Sequence, residues 1–104
     1  MSNEYFDAGY GIISISITTT GATVVATTAG YYHGVAMVAG TAAVTTFVYD
    51  ASVATSGNIV DAIYITVTGS ARSEKYIPVV CRKGITISVT GTGANGAIFF
   101  GPRG

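Results

Sequence analysis

Residues Ile85–Gly104 read ITISVTGTGANGAIFFGPRG, and the glycines at their centre decide which fold the chain can have. Gly91-Thr92-Gly93-Ala94-Asn95-Gly96 spells G-x-G-x-x-G directly after the strand-like ITISVT. In a dinucleotide-binding loop such glycines open a helix whose N-terminal N–H groups hold a pyrophosphate. A second parallel strand and an acidic residue about 20 positions further on complete that unit. Only Ala97–Gly104 follow here, AIFFGPRG, and they read as another strand. The phosphate cradle is set aside, and the glycines are expected to reverse the chain between two strands as a hairpin. Ile85, Ile87 and Val89 then face inward on one strand, and Ile98 and Phe100 on the other. Glycine reaches positive φ at no steric cost and Asn-Gly tolerates the left-handed region, so either Gly91–Ala94 or Asn95-Gly96 can centre the turn.

The same period of two runs back along the chain. In YGIISISITTT, Ile13, Ile15 and Ile17 alternate with Ser14, Ser16 and Thr18, the pattern of a half-buried strand. ATVVATTAG gives a second strand, YYHGVAMVAG a third with Val35, Met37 and Ala39 on one face, and AAVTTFVYD a fourth. The short Gly40-Thr41 link between the third and fourth predicts an antiparallel hairpin. ASVATSGNIV is the longest irregular piece. In DAIYITVTGS, a fifth strand, Ile63, Ile65 and Val67 alternate with Tyr64, Thr66 and Thr68. ARSEKY reads as the one charged loop, and Pro78 places IPVVCRKG at an edge or at the start of a strand.

No stretch carries a helical stripe, and glycine recurs too often for long helices. Seven to eight short strands at this spacing predict an all-β chain, a single antiparallel β-sandwich or jelly-roll-like barrel. Residues 1–9, MSNEYFDAG, have no period and read as an N-terminal arm, with 10–104 as the sandwich domain. Tyr5 and Phe6 suit an arm that packs on something, such as another subunit.

A chain of 104 residues makes one domain that buries about two-thirds of its unfolded surface. Only 10% of the residues are charged, where about a quarter is usual, and the excess lies in Thr, Val, Ala, Ile and Gly. With a net charge of +0 the steering field of a nucleic-acid binder is missing, so no nucleic acid is expected as partner. The start of the chain has neither the basic nor the apolar region of a signal peptide, and no apolar run approaches the roughly 18 residues of a membrane span. Synthesis in a reducing cytoplasm, with no membrane partner, is the expectation. A weakly charged, strand-rich surface repels its neighbours little and favours association.

The residues that carry chemistry are few and scattered. His33 is the only histidine and has no second His or carboxylate near it in sequence, so a surface or hydroxyl-paired role is expected. Cys81, the single cysteine, lies beside Arg82 and Lys83, which would activate a thiol, but its valine neighbours suit a small core residue better. Asp50 and Asp61 bracket ASVATSGNIV without the alternating oxygen ligands of a calcium loop. Asp50 is expected to accept its own backbone N–H groups in a turn. Arg72, Lys75, Arg82 and Lys83, with Glu74 among them, form the one basic patch; it reads as a solvated loop that blunts an edge strand, with an interface at Arg72–Tyr76 as the second reading. Of the seven tyrosines, Tyr31, Tyr32, Tyr49 and Tyr64 would have to gather to make a sugar-stacking platform, while tyrosines in strands favour core or interface positions. No catalytic residue, cofactor or metal site is expected.

From about Tyr32 to Gly101 the order of pieces resembles small β-sandwich structural proteins of tailed bacteriophages. The matching stretches are Gly40–Ser52, Ile77–Val80 and Gly84–Phe100, which include GTAAVTTFVYDAS and GITISVTGTGANGAIFF. The resemblance implies a non-enzymatic virion protein assembled in the host cytoplasm: a capsid decoration or cement protein that binds the major capsid protein or other virion proteins as a homo-oligomer, a trimer above all. A head–tail or fibre-associated piece, or a carbohydrate- or receptor-binding module, is the alternative. Tyr5, Phe6, Arg72, Lys75 and Tyr76 are the expected contact residues.

Overall fold

A computed structural model describes residues 12–53 and 57–102. The alternating runs become eight strands: β1 (Ile13–Ile17), β2 (Gly21–Ala26), β3 (Gly30–Val38), β4 (Val44–Asp50), β5 (Asn58–Ile65), β6 (Ser70–Cys81), β7 (Ile85–Thr90) and β8 (Asn95–Pro102). They lie in two antiparallel sheets, ordered β1-β8-β3-β6 and β2-β7-β4-β5. Every step along the chain changes sheet except β4 to β5, which is the strand order of an eight-stranded jelly roll. The all-β sandwich expected from the pattern is what forms, and residues 1–9, read as an arm, lie outside the described residues together with Tyr5 and Phe6.

Period two builds the core. Tyr32, Val35 and Met37 of β3 and Ile98 and Phe100 of β8 meet Val44 and Val48 of β4 and Ile85, Ile87 and Val89 of β7, all buried. Each aliphatic side chain fully removed from water contributes about 1.5–3 kcal/mol. Adjacent positions face outward, where serine, threonine and alanine alternate with exposed apolar side chains such as Val24, Val38, Ile59 and Tyr64.

Two short connections differ from the expected hairpins. β7 pairs with β2 and β4, whereas β8 pairs with β1 and β3, so the glycine-rich link crosses between sheets. Its turn is Gly91–Ala94, closed by the Ala94 N–H on the Gly91 carbonyl at 3.3 Å, and Asn95 and Gly96 already belong to β8. Gly91 sits at φ +121°, and a Cβ there would overlap the Ala43 carbonyl oxygen, so glycine is needed where this arch packs on the β3–β4 connection. That connection crosses as well. The Ala39 N–H donates to the Gly69 carbonyl at 2.8 Å and the Thr68 N–H to the Gly40 carbonyl at 3.3 Å. The β3–β4 link and the β5–β6 turn thus satisfy each other's backbone groups, where a hairpin would satisfy its own.

ARSEKY is no loop but the first half of β6, an edge strand. Ala71 and Ser73 stand opposite the inward Met37 and Val35, while Arg72 and Glu74 face out. A strand over a core needs small or apolar residues only at alternate positions, so the charges do not interrupt it. Pro78 lies on this edge, where its missing N–H costs no ladder bond. Val67, read as part of the fifth strand with Ile63 and Ile65, is exposed in the turn between β5 and β6.

Candidate functional site

Among the described residues the most exposed large apolar side chains are set on β6 by an irregularity in its pairing. Tyr32↔Val79 is followed by Gly34↔Glu74, so two residue steps on β3 are answered by five on β6. Lys75–Pro78 therefore stand off the ladder, and Tyr76 and Ile77 project into solvent at 101% and 78% exposure. β3 is bulged at the same level, since Tyr32↔Phe100 is followed by Gly34↔Phe99, with His33 as the extra residue. Gly34 permits this: its φ is +143°, and a Cβ there would collide with the Ser73 carbonyl oxygen.

Beneath the projecting segment a buried carboxylate ties the two sheets together. Asp61 on β5 accepts the Tyr32 hydroxyl at 2.7 Å on Oδ2 and the Ala62 N–H at 2.9 Å on Oδ1. The Ser73 hydroxyl donates to it too, and Lys75 Nζ lies 3.6 Å from Oδ1. The Asp61 side chain is only 10% exposed. Burial alone would raise its carboxyl pKa, but hydrogen bonds from Ser73, Tyr32 and Ala62, with the Lys75 charge, outweigh burial and hold it below the ordinary carboxylate value. The Tyr32 phenol is pushed well above its ordinary value, first by burial and then by Asp61, so it remains a donor. Lys75 thus turns back into a clasp while its neighbour Tyr76 points away.

The expected basic patch is dispersed. Arg72 pairs with Glu74 at 3.4 Å where both are exposed, a contact worth little in water. Arg82 and Lys83 lie in the turn after β6, where their backbone N–H groups donate to Asp50 at 3.1 and 2.8 Å. Asp50 therefore holds a distant turn and not its own backbone. His33 is half-buried beside Ile12, Arg72, Glu74, Lys75 and Phe99, around an open depression of about 300 Å³, and burial lowers its imidazole pKa. Cys81 is fully buried, and burial, then the Asp50 charge, pushes its thiol up to about 11, so it is a core residue. Among the described residues no group of three His, Cys, Asp or Glu side chains is placed to hold a metal ion.

Tyr31, Tyr32, Tyr49 and Tyr64 do not gather. Tyr32 is in the core and Tyr31 faces the other way on the same strand, whereas Tyr49, in contact with Phe47, and Tyr64 lie on the second sheet. Of the expected contact residues Arg72, Lys75 and Tyr76 share one edge strand, with Lys75 occupied by Asp61. Ile77 and the Asp61 clasp were not expected. Ile77 had a signal in Tyr76-Ile77-Pro78, two large apolar residues in a row before a proline, which breaks period two on an edge, whereas the clasp had none.

An eight-stranded jelly-roll sandwich with a buried carboxylate clasp and a projecting edge segment is what fold and site define together. No family model and no curated protein matches the chain. Among solved structures it is similar to one described as "Bacillus endospore appendages form a novel family of disulfide-linked pili", with 20% identity, a TM-score of 0.46, and 86% of this chain and 78% of that chain covered. Capsid decoration was the expectation, and the neighbour found is a bacterial appendage and not a phage component. The carbohydrate-binding alternative lacks its platform, because Tyr32 is in the core and Tyr49 and Tyr64 lie on the other sheet. At this depth the likeness concerns the sandwich alone and gives the present chain no role.

Proposed function

We propose that the chain is a non-enzymatic assembly subunit, a β-sandwich that works by binding protein surfaces and associates with copies of itself. The observation that carries this is the pair Tyr76 and Ile77, held clear of the molecule by the β6 irregularity. Single exposed apolar residues are ordinary, but an adjacent fully exposed tyrosine and largely exposed isoleucine on a structured projection have the make-up of an interface anchor. The titratable groups support the same reading, because Asp50 and Asp61 are engaged in holding strands and turns. With Cys81 buried, the described residues offer no exposed thiol for a disulfide between copies.

Light scattering over a concentration series tests this. The wild-type mass is expected to rise above that of the monomer, and Tyr76→Ser/Ile77→Ser to lower the mass reached at the highest concentrations. A protein that stays monomeric throughout overturns self-association.

A further inference from the structure

Four strands end the two sheets, and three of them are blunted. β2 carries an extra residue between Val24 and Ala26, β5 one between Ile59 and Asp61, and β6 the long irregularity with Pro78 and Lys75. In each case the extra residue lies on the edge strand itself, the usual defence against strand addition. β1 has none of these devices. It pairs with β8 in unbroken register from Ile13↔Phe100 to Ile17↔Gly96, and from Ile12 to Thr20 it contains no charge and no proline.

β1 is also its own complement. Ile13-Ser14-Ile15-Ser16-Ile17 reads the same in both directions about Ile15. An antiparallel copy centred on Ile15 sets Ile13 opposite Ile17 and Ser14 opposite Ser16, so isoleucine meets isoleucine on one face and hydroxyl meets hydroxyl on the other. No like charges are brought together, the penalty that a two-fold pairing most often meets. Ile12 and Ile13, 56% and 43% exposed, would be drawn into the contact.

From these observations we propose that β1 pairs antiparallel with β1 of a second copy about a two-fold axis at Ile15, merging two four-stranded sheets into one continuous sheet. This rests on the assembly reading above and names the first contact within it. The partner is a second copy because the strand's sequence is self-complementary, and main-chain hydrogen bonds supply the affinity. The Tyr76–Ile77 projection, at the opposite edge of the same sheet, remains free for later contacts.

Directly opposite residues of an antiparallel pair have Cα atoms about 4.5–5.5 Å apart, within disulfide range. Ser14→Cys and Ser16→Cys proteins mixed under mild oxidation are therefore expected to cross-link to each other more readily than either does alone. Cys81 is buried and does not compete. Ser14→Lys/Ser16→Lys, which opposes lysines across the axis on an exposed face, is expected to weaken the dimer at least tenfold with an unchanged circular dichroism spectrum. Self-association without preferential cross-linking, and untouched by the lysines, overturns the β1 contact and leaves the assembly reading standing. A protein monomeric at every concentration overturns both.

Discussion

β1 and β6 end the same sheet and are built in opposite ways. β1 is short, regular and uncharged, and presents unbroken backbone. β6 runs for 12 residues but leaves its ladder at Lys75–Pro78, carries charges, and is anchored from below by Asp61. Strand addition suits the first edge, and side-chain recognition suits the second. One sheet thus offers two non-equivalent surfaces, which lets a subunit make two kinds of contact without their competing.

The comparison breaks most severely at Gly34. Any side chain there must displace the Ser73 carbonyl and take up a φ of +143° that L-residues rarely adopt. Gly34→Val is expected to cost about 4 kcal/mol or more in denaturant unfolding. At the other edge Ser14→Lys/Ser16→Lys, on exposed positions of β1, should change monomer stability by about 0.5 kcal/mol at most. Similar losses for the two proteins would mean that the irregularity has no anchoring role.

Next in size is the clasp. Asp61→Ala leaves the Tyr32 hydroxyl buried without its acceptor and removes the partner of Lys75, with an expected loss of about 3 kcal/mol. The clasp also has a pH signature. Because the folded carboxyl is held below its ordinary value, its contribution is full above the ordinary carboxylate range near pH 4. It is lost as pH falls through that range toward the depressed folded value. Urea midpoints should therefore fall on acidification more steeply for the wild type than for Asp61→Asn. Parallel acid limbs would show that Asp61 is not the group responsible.

These features differ in how far the sequence reveals them. Period two in ISISI, VAMVA and ITISV specifies both strand and inward face, because burial acts on every second side chain along one element. Connection is not local. The links after Val38 and Thr90 are short enough for hairpins, yet both cross between sheets: the first bonds to the β5–β6 turn through Ala39 and Gly40, and the second packs Gly91 against Ala43. The clasp was hidden for the same reason: Tyr32, Asp61 and Lys75 are far apart in sequence and meet only when β5 stacks on β6. Tyr76 stands out in the sequence as an aromatic in a charged run, whereas its projection depends on a bulge in two strands that no single stretch encodes.

The smallest expected effect is the most informative about function. Tyr76 and Ile77 stand off the ladder and are largely in water, so Tyr76→Ser/Ile77→Ser removes little buried area from the monomer. Its unfolding free energy should stay within about 0.5 kcal/mol of the wild type, since surface changes away from caps, turns and buried partners rarely do more. If the pair served only to cover the Asp61 clasp, its loss would admit water to that carboxylate and lower stability by an amount approaching that of Asp61→Ala. If it serves contact with another protein, stability is unchanged and only the assembled mass falls. Measuring both quantities on one variant separates a residue pair kept for the fold from one kept for a partner.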